Sequence, residues 1–244
     1  MKNRHRVAFM VVLAIFAATI LFVRHEDASS PQQSGNKSQS GQLGTAGFRK
    51  DAYSIDTPGS PWWIVNKKRS LPNGYTPADV TVPSVRLRQS AASDEMKLST
   101  PAAKSAEALF AAAKEAGYSL MLASGYRSQA LQNVLYNGYV AKDGQAAADR
   151  YSAKPGTSEH QTGLAMDVCL ANSGCSLEQA FGDTPAGKWI AANAHKYGFI
   201  VRYLPGKDAI TGYEYEPWHL RYVGIELATE LQRNNKTMEE FFGL

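Results

Sequence analysis

The hydrophobic pattern opens on a single run, VAFMVVLAIFAATILFV from Val7 to Val23, with no charge inside it. At about 1.5 Å per residue the run extends roughly 25 Å, enough to cross a slightly thin bilayer. Lys2, Arg4 and Arg6 precede it, a bias that predicts a cytoplasmic amino terminus and export of everything beyond Val23. Residues 1–25 therefore read as a short cytoplasmic start and a membrane anchor, with a cleaved signal peptide as the rival reading. Residues 26–47, EDASSPQQSGNKSQSGQLGTAG, hold almost no large apolar side chain and read as a flexible linker. From Phe48 onward aromatic residues recur (Tyr53, Trp62, Trp63, Tyr75), with no second linker and no internal repeat. Residues 48–244 are expected to form one domain.

Within that domain the Ala-rich stretch Ala102–Ala116, with Pro101 before it and Gly117 after it, predicts a helix. Tyr118–Ala123 (YSLMLA) predicts a buried strand, and Gln129–Val140 a second helix after the turn at Gly125. Thr184 and Pro185 supply an N-cap and first position for a helix through Tyr197, stopped by Gly198. Strands are expected at Leu164–Cys169, Phe199–Tyr203 and Leu220–Val223, and a last helix over Gly224–Asn234. Helices and strands alternate without a regular βαβ rhythm, so the expected class is α+β, a small antiparallel sheet flanked by helices.

Composition is that of an ordinary globular chain, 44% hydrophobic and 20% charged over 244 residues, which excludes disordered and disulfide-dense classes. The basic residues ahead of Glu26 account for the whole formal net charge of +4. A neutral remainder argues against a nucleic-acid partner held by a general basic field.

The chemistry-bearing residues cluster in two short motifs. His160 lies in SEHQTGLAMD with Asp167 seven positions on, and His219 lies in EPWH, three after Glu216. Two imidazoles and one carboxylate are a ligand set for a catalytic zinc, with one position left for water. Gly163 lets the chain turn into the strand LAMDVC, where Leu164, Met166 and Val168 alternate with Ala165, Asp167 and Cys169 on the other face. A carboxylate in so apolar a strand needs a partner or a metal; spacing alone leaves open a structural His160–Asp167 pair. Glu216 is the candidate general base, brought toward His219 by a bend at Pro217 and Trp218. A plain surface role for Glu216 is the alternative.

SEHQTGLAMD fits Ser-x-His-x-x-Gly-x-Ala-x-Asp at every fixed position. With GYRS at Gly125–Ser128, YSAKPGTSEHQTG, YGFIVRY and TGYEYEPWHLRYVG, the chain from about Trp62 to Gly224 resembles the zinc D-alanyl-D-alanine carboxypeptidases of the VanY type. The resemblance implies that His160, Asp167 and His219 hold one Zn²⁺, that Glu216 activates water, and that Arg127 stabilises the developing oxyanion. It further implies that Ser152, Gln132 and Ser158 help hold the terminal carboxylate of the substrate. The expected activity is removal of the terminal D-alanine from peptidoglycan stem peptides at the D-Ala-D-Ala bond. Cleavage of the L-to-D bond of tetrapeptides is one alternative, and a wall-binding module without turnover another. Nitrogen and oxygen ligands would also accept other divalent ions. No protein partner is predicted. Cys169 and Cys175 are the only cysteines, and in an exported chain they are expected to form a disulfide, with free thiols or a second metal pair as alternatives.

Overall fold

A computed structural model describes residues 48–244. The expected anchor and linker, residues 1–25 and 26–47, lie outside the described residues. Among the described residues, no helix is long and apolar enough to cross a membrane.

The first elements are two short strands, β1 (Val80–Thr81) and β2 (Leu98–Ser99), paired antiparallel. Helix α1 (Thr100–Glu115) follows directly, with Pro101 in its first turn. Its buried face is built from Ala102, Ala103, Ala106, Leu109, Phe110 and Ala113; the small residues let its backbone lie close to its neighbours. Gly117 ends it at φ +89°, a conformation that costs glycine least.

Strand β3 (Leu120–Ser124) leads to α2 (Gln129–Asp143), capped by the Ser128 hydroxyl accepting from Leu131 N–H at 3.2 Å. A separate helix, α3 (Gln145–Tyr151), follows, turned off α2 by Gly144 at φ +80°. Strand β4 (Ala165–Leu170), helix α4 (Pro185–Asn193), strand β5 (Phe199–Val201), the single turn α5 (Asp208–Thr211), strand β6 (His219–Tyr222) and helices α6 (Ile225–Asn234) and α7 (Met238–Phe242) complete the order. The main sheet runs β3-β4-β6-β5 with every neighbouring pair antiparallel. The class is α+β, as the sequence predicts.

The alternation in β4 divides the molecule. Met166 and Val168 enter the main core with Leu98, Leu109, Leu122, Ile190, Phe199 and Leu220. Asp167 and Cys169 face the other way, Cys169 packing with Ala123 and Cys175. A second core gathers Trp62, Ile64, Ile200, Val223, Leu227, Leu231, Met238 and Phe241, tying the start of the domain to its last two helices.

Three boundaries differ from the sequence pattern. Thr184 caps α4 as expected, its hydroxyl accepting from Gly187 N–H at 3.0 Å, but the α-helix stops at Asn193 and a 3-10 turn carries Ala194–Tyr197 to Gly198. Asn193, at φ −125°, leaves the helical region, and its side-chain amide donates back to Trp189 O at 2.8 Å. Helix α3 was not anticipated, since Ala-rich QAAADRY has no periodic apolar stripe. Helix α7 was not anticipated either, although Thr237 and Glu240 form a full capping box.

Candidate active site

Strand pairing builds the site. Asp167 of β4 stands directly across from His219 of β6, so two side chains distant in sequence meet on one sheet face. Beside Asp167, β3 bulges between Leu122 and Ser124. The chain then passes through Gly125, where a Cβ would meet Lys97 O at 2.3 Å, so only glycine fits this close approach. His160 sits on a 3-10 turn, Glu159–Thr162, whose exit through Gly163 at φ +71° starts β4. Its Nδ1–H donates to Gly125 O at 2.7 Å, joining the GYRS and SEHQTG segments.

One donor atom from each of His160, Asp167 and His219 lies within 4.8 Å of the others, all three residues buried. His160 Nε2 is 3.3 Å from Asp167 Oδ2, and His219 Nδ1 is 3.2 Å from Asp167 Oδ1. The opposite ring nitrogens face acceptors: Gly125 O for His160, and Glu159 Oε2 at 3.3 Å for His219. With its proton on Nδ1, where Gly125 O can only accept, the His160 ring turns the Nε2 lone pair toward the Asp167 carboxylate. That arrangement is unfavourable unless a cation sits between them, and it is the outer-shell pattern of metal-bound histidines. Burial works against charge on His219, yet hydrogen bonds to Asp167 and Glu159 push it up to about 9. Burial would raise Asp167, yet His160 and His219 hold it well below the usual carboxylate range. The donor set therefore fits zinc: two nitrogens, one oxygen and a surrounding demand for positive charge.

Glu216 and His219 converge as the sequence predicts. His219 N–H donates to Glu216 O at 3.1 Å across the turn at Pro217 and Trp218, and Glu216 Oε2 lies 3.9 Å from His219 Nδ1. Burial pushes the Glu216 carboxyl up to about 8, with the nearby Asp167 charge adding to the rise against the pull of His219. Such a group exchanges a proton near neutrality, as a general acid and base must.

Arg127 is fixed from two sides, its Nη1 donating to Gln132 Oε1 at 2.9 Å and its Nη2 to Ser124 Oγ at 3.0 Å. The same Nη2 is 3.8 Å from Asp167 Oδ2, and the buried Nε has no partner among the described residues. Gln132 is itself committed, donating to Ala153 O at 2.7 Å. Its immediate work is to hold Arg127. Ser152, Ser158, Gln132, Arg127 and Glu216 all line one cleft of about 300 Å³ with the three ligand candidates; Tyr139, Tyr151, Tyr203, Tyr213 and Trp218 are among its other walls, and Glu159 reaches its floor. Cys169 and Cys175 are joined as a disulfide, closing the loop after β4 that leads to Leu177.

The residues that sequence reasoning missed lie behind His219. Glu159, Arg202 and Arg221 are buried, and Glu159 accepts from both arginines. The signal was present: an arginine within FIVRY and another within HLRY are charges in apolar strands, which demand buried partners.

The fold and this site are those of a peptidoglycan carboxypeptidase. The chain belongs to the VanY family, D-alanyl-D-alanine carboxypeptidase, whose model matches residues 95–225. It is 44% identical over 189 residues to the putative carboxypeptidase YodJ of Bacillus subtilis, covering 78% of this chain and 69% of that protein. It is 37% identical over 142 residues to the D-alanyl-D-alanine carboxypeptidase of Enterococcus faecalis, of whose length it spans 51%. Among solved structures, the LdcB LD-carboxypeptidase superposes with a TM-score of 0.73 at 44% identity, over 77% of this chain and 88% of that one. A vancomycin-resistance D,D-pentapeptidase VanY variant in complex with Zn(II) gives 0.60 at 32% identity, over 73% and 97%.

Proposed function

We propose that this chain is a zinc-dependent carboxypeptidase that releases the terminal D-alanine of a peptidoglycan stem peptide. The observation that carries this reading is the convergence of one ligand atom each from His160, Asp167 and His219 within 4.8 Å of one another, beside a buried Glu216 and a fixed Arg127. Zinc bound there would supply Lewis-acid polarisation of the scissile carbonyl and acidify water. Glu216 takes the proton of the attacking water and passes it to the leaving amine of D-alanine. Arg127, held by Ser124 and Gln132, presents its guanidinium to the carbonyl oxygen as negative charge develops there. Two neutral histidines, one aspartate and a dication leave a net positive charge, to which Arg127 adds, so a substrate ending in a carboxylate is drawn inward. Ser152 and Ser158 are placed on the cleft wall to meet that carboxylate.

Two observations bear on which bond is cut. The LdcB LD-carboxypeptidase and an L,D-carboxypeptidase DacB of Streptococcus pneumoniae are 44% and 40% identical to this chain, against 32% for the D,D-pentapeptidase VanY. These likenesses support the L-to-D bond of a tetrapeptide as the first reading proposed. The family description and the enterococcal relative favour D-Ala-D-Ala of a pentapeptide as the second reading. The sequence-based preference placed these in the opposite order. We extend the proposal to location: the basic start and apolar run at residues 7–23 support an exported domain, tethered to the membrane or released if that segment is cleaved.

The test is to incubate zinc-loaded full-length protein with stem tetrapeptide and pentapeptide, beside Glu216→Ala, and follow products by mass spectrometry. Loss of one alanine from the tetrapeptide, absent in the variant, supports the first reading. Loss from the pentapeptide alone supports the second. Cleavage of neither would leave a wall-binding module without turnover.

A further inference from the structure

His219 has two environments. Its Nδ1 faces the cleft, while behind it lies a buried cluster of four charged side chains. Glu159 Oε1 accepts from Arg202 Nε at 2.8 Å and from Arg221 Nη1 at 2.7 Å, which leaves Oε2 for His219 Nε2 at 3.3 Å. The two terminal nitrogens of Arg202 donate to Glu239 Oε2 at 2.9 Å and Oε1 at 2.6 Å. Asn66 Nδ2 adds a third bond to Glu239, at 3.0 Å. Arg221 spends its other donors on Trp63 O at 2.7 Å, Pro61 O at 3.3 Å and Tyr222 O at 3.1 Å. Two guanidinium groups and two carboxylates balance to zero, and none of the four side chains is more than 3% exposed.

A cluster that served only to staple the fold would be complete with the two arginines, their carboxylate partners and the backbone acceptors of Arg221. Here one carboxylate oxygen is left pointing at a ring nitrogen of a ligand candidate. We propose that the Glu159, Arg202, Arg221 and Glu239 cluster is a positioning device for His219 that sets the affinity of the site for its metal. Through it, helix α7 reaches the metal site. This rests on the metal reading above. Glu159 orients the ring and keeps the proton on Nε2, so that Nδ1 carries its lone pair toward the metal. The arginines hold Glu159 in place, both donating to its Oε1. Glu239 cancels the second arginine, without which the cluster would present a net positive charge to a bound dication. Asn66, Trp63 and Glu239, which anchor the device, all lie outside the span 95–225 matched by the family model. Segments flanking that span thus tune the ligand set inside it.

The test measures the zinc dissociation constant of the full-length protein by competition with a chromophoric chelator, for wild type, Glu159→Gln and Glu239→Gln. Unfolding midpoints of the zinc-free proteins are measured alongside. The expected result is a loss of zinc affinity of about 10- to 100-fold in Glu159→Gln and a smaller loss in Glu239→Gln, which touches no ligand. In zinc-loaded Glu159→Gln, the Nε2–H proton resonance of His219 is expected to shift upfield as its acceptor changes from carboxylate to amide. Zinc affinity within twofold of wild type in both variants, with lowered midpoints, would show that the cluster serves the fold alone and overturn the proposal. If Glu159→Gln does not fold, Glu239→Gln decides by the same criterion. A wild-type protein that takes up no zinc overturns the metal reading itself, a result distinct from an unchanged affinity in the variants.

Discussion

The two sides of His219 are built by opposite rules. Behind it, each guanidinium nitrogen of Arg202 and Arg221 has a hydrogen-bond acceptor, and the two carboxylates that face them are shared among several donors. In front, the cleft wall carries buried polar atoms with no partner among the described residues, Arg127 Nε and Tyr213 Oη, and a carboxyl at Glu216 whose burial pushes it up to about 8. A buried polar atom left unpaired costs on the order of 1–3 kcal/mol. The rear follows the rule for a stable interior; the front accepts a cost that a ligand can relieve. Substitutions should separate accordingly, with the front losing turnover and the rear losing stability together with zinc affinity.

The largest effect is expected at Glu216. Glu216→Gln should lower kcat by about 10²- to 10⁴-fold, the range for a lost general acid–base. Its unfolding midpoint should hold or rise, because the raised pKa means the folded state disfavours the charge. A stability loss comparable to that of rear substitutions would break the comparison. Next is Arg202→Met, which strands Glu159 and Glu239 in the interior. It should cost about 3–5 kcal/mol in denaturant unfolding of the zinc-free protein, and more with zinc present if the cluster sets zinc affinity.

The rear also predicts a pH dependence. Burial would raise Glu239, but the facing Arg202 outweighs it and holds the carboxyl below its ordinary value of 4.5. A depressed folded pKa contributes stability that is full above the unfolded pKa, near ~4.3, and is lost as pH falls through the folded value. The stability difference between wild type and Glu239→Gln, followed by unfolding midpoints from pH 6 to 3, should therefore be constant above about pH 5 and shrink in acid. A difference that grows in acid would contradict the assignment.

Smaller effects sharpen the picture. Reducing the Cys169–Cys175 disulfide, which closes a loop with a sequence separation of 6, should cost about 2 kcal/mol in the chain-entropy model, read as a fall in unfolding midpoint on adding reductant. Tyr213→Phe removes a hydroxyl that bonds nothing among the described residues. It should raise stability, by about 1–3 kcal/mol, and a change in KM would place that hydroxyl against substrate.

What could be read from sequence divides along the same line. The front was legible as candidates because its residues occupy fixed short spacings, His160 and Asp167 within one turn-and-strand and Glu216 and His219 across one bend, while their roles rested on the family resemblance. Strand alternation also predicted that Met166 and Val168 lie on the face opposite Asp167, and the structure places those two in the main core. The rear was not legible. Glu159, Arg202, Arg221 and Glu239 come from a turn, two strands and a terminal helix, and no local pattern pairs them. Their pairing follows from β5 lying beside β6 and from α7 folding back, both tertiary facts. The end of α4 at Asn193 escaped for a related reason, since a 3-10 turn continues the same hydrophobic face as the α-helix before it.

The account stands on one metal held by His160, Asp167 and His219, and calorimetric titration of zinc into metal-free full-length protein tests it most directly, with Asp167→Asn beside wild type. The expected result is one zinc per chain for wild type and binding weakened beyond detection in the variant, which loses the anionic ligand the two imidazoles share. Equal zinc binding by wild type and a folded Asp167→Asn, or no binding by either, would contradict it.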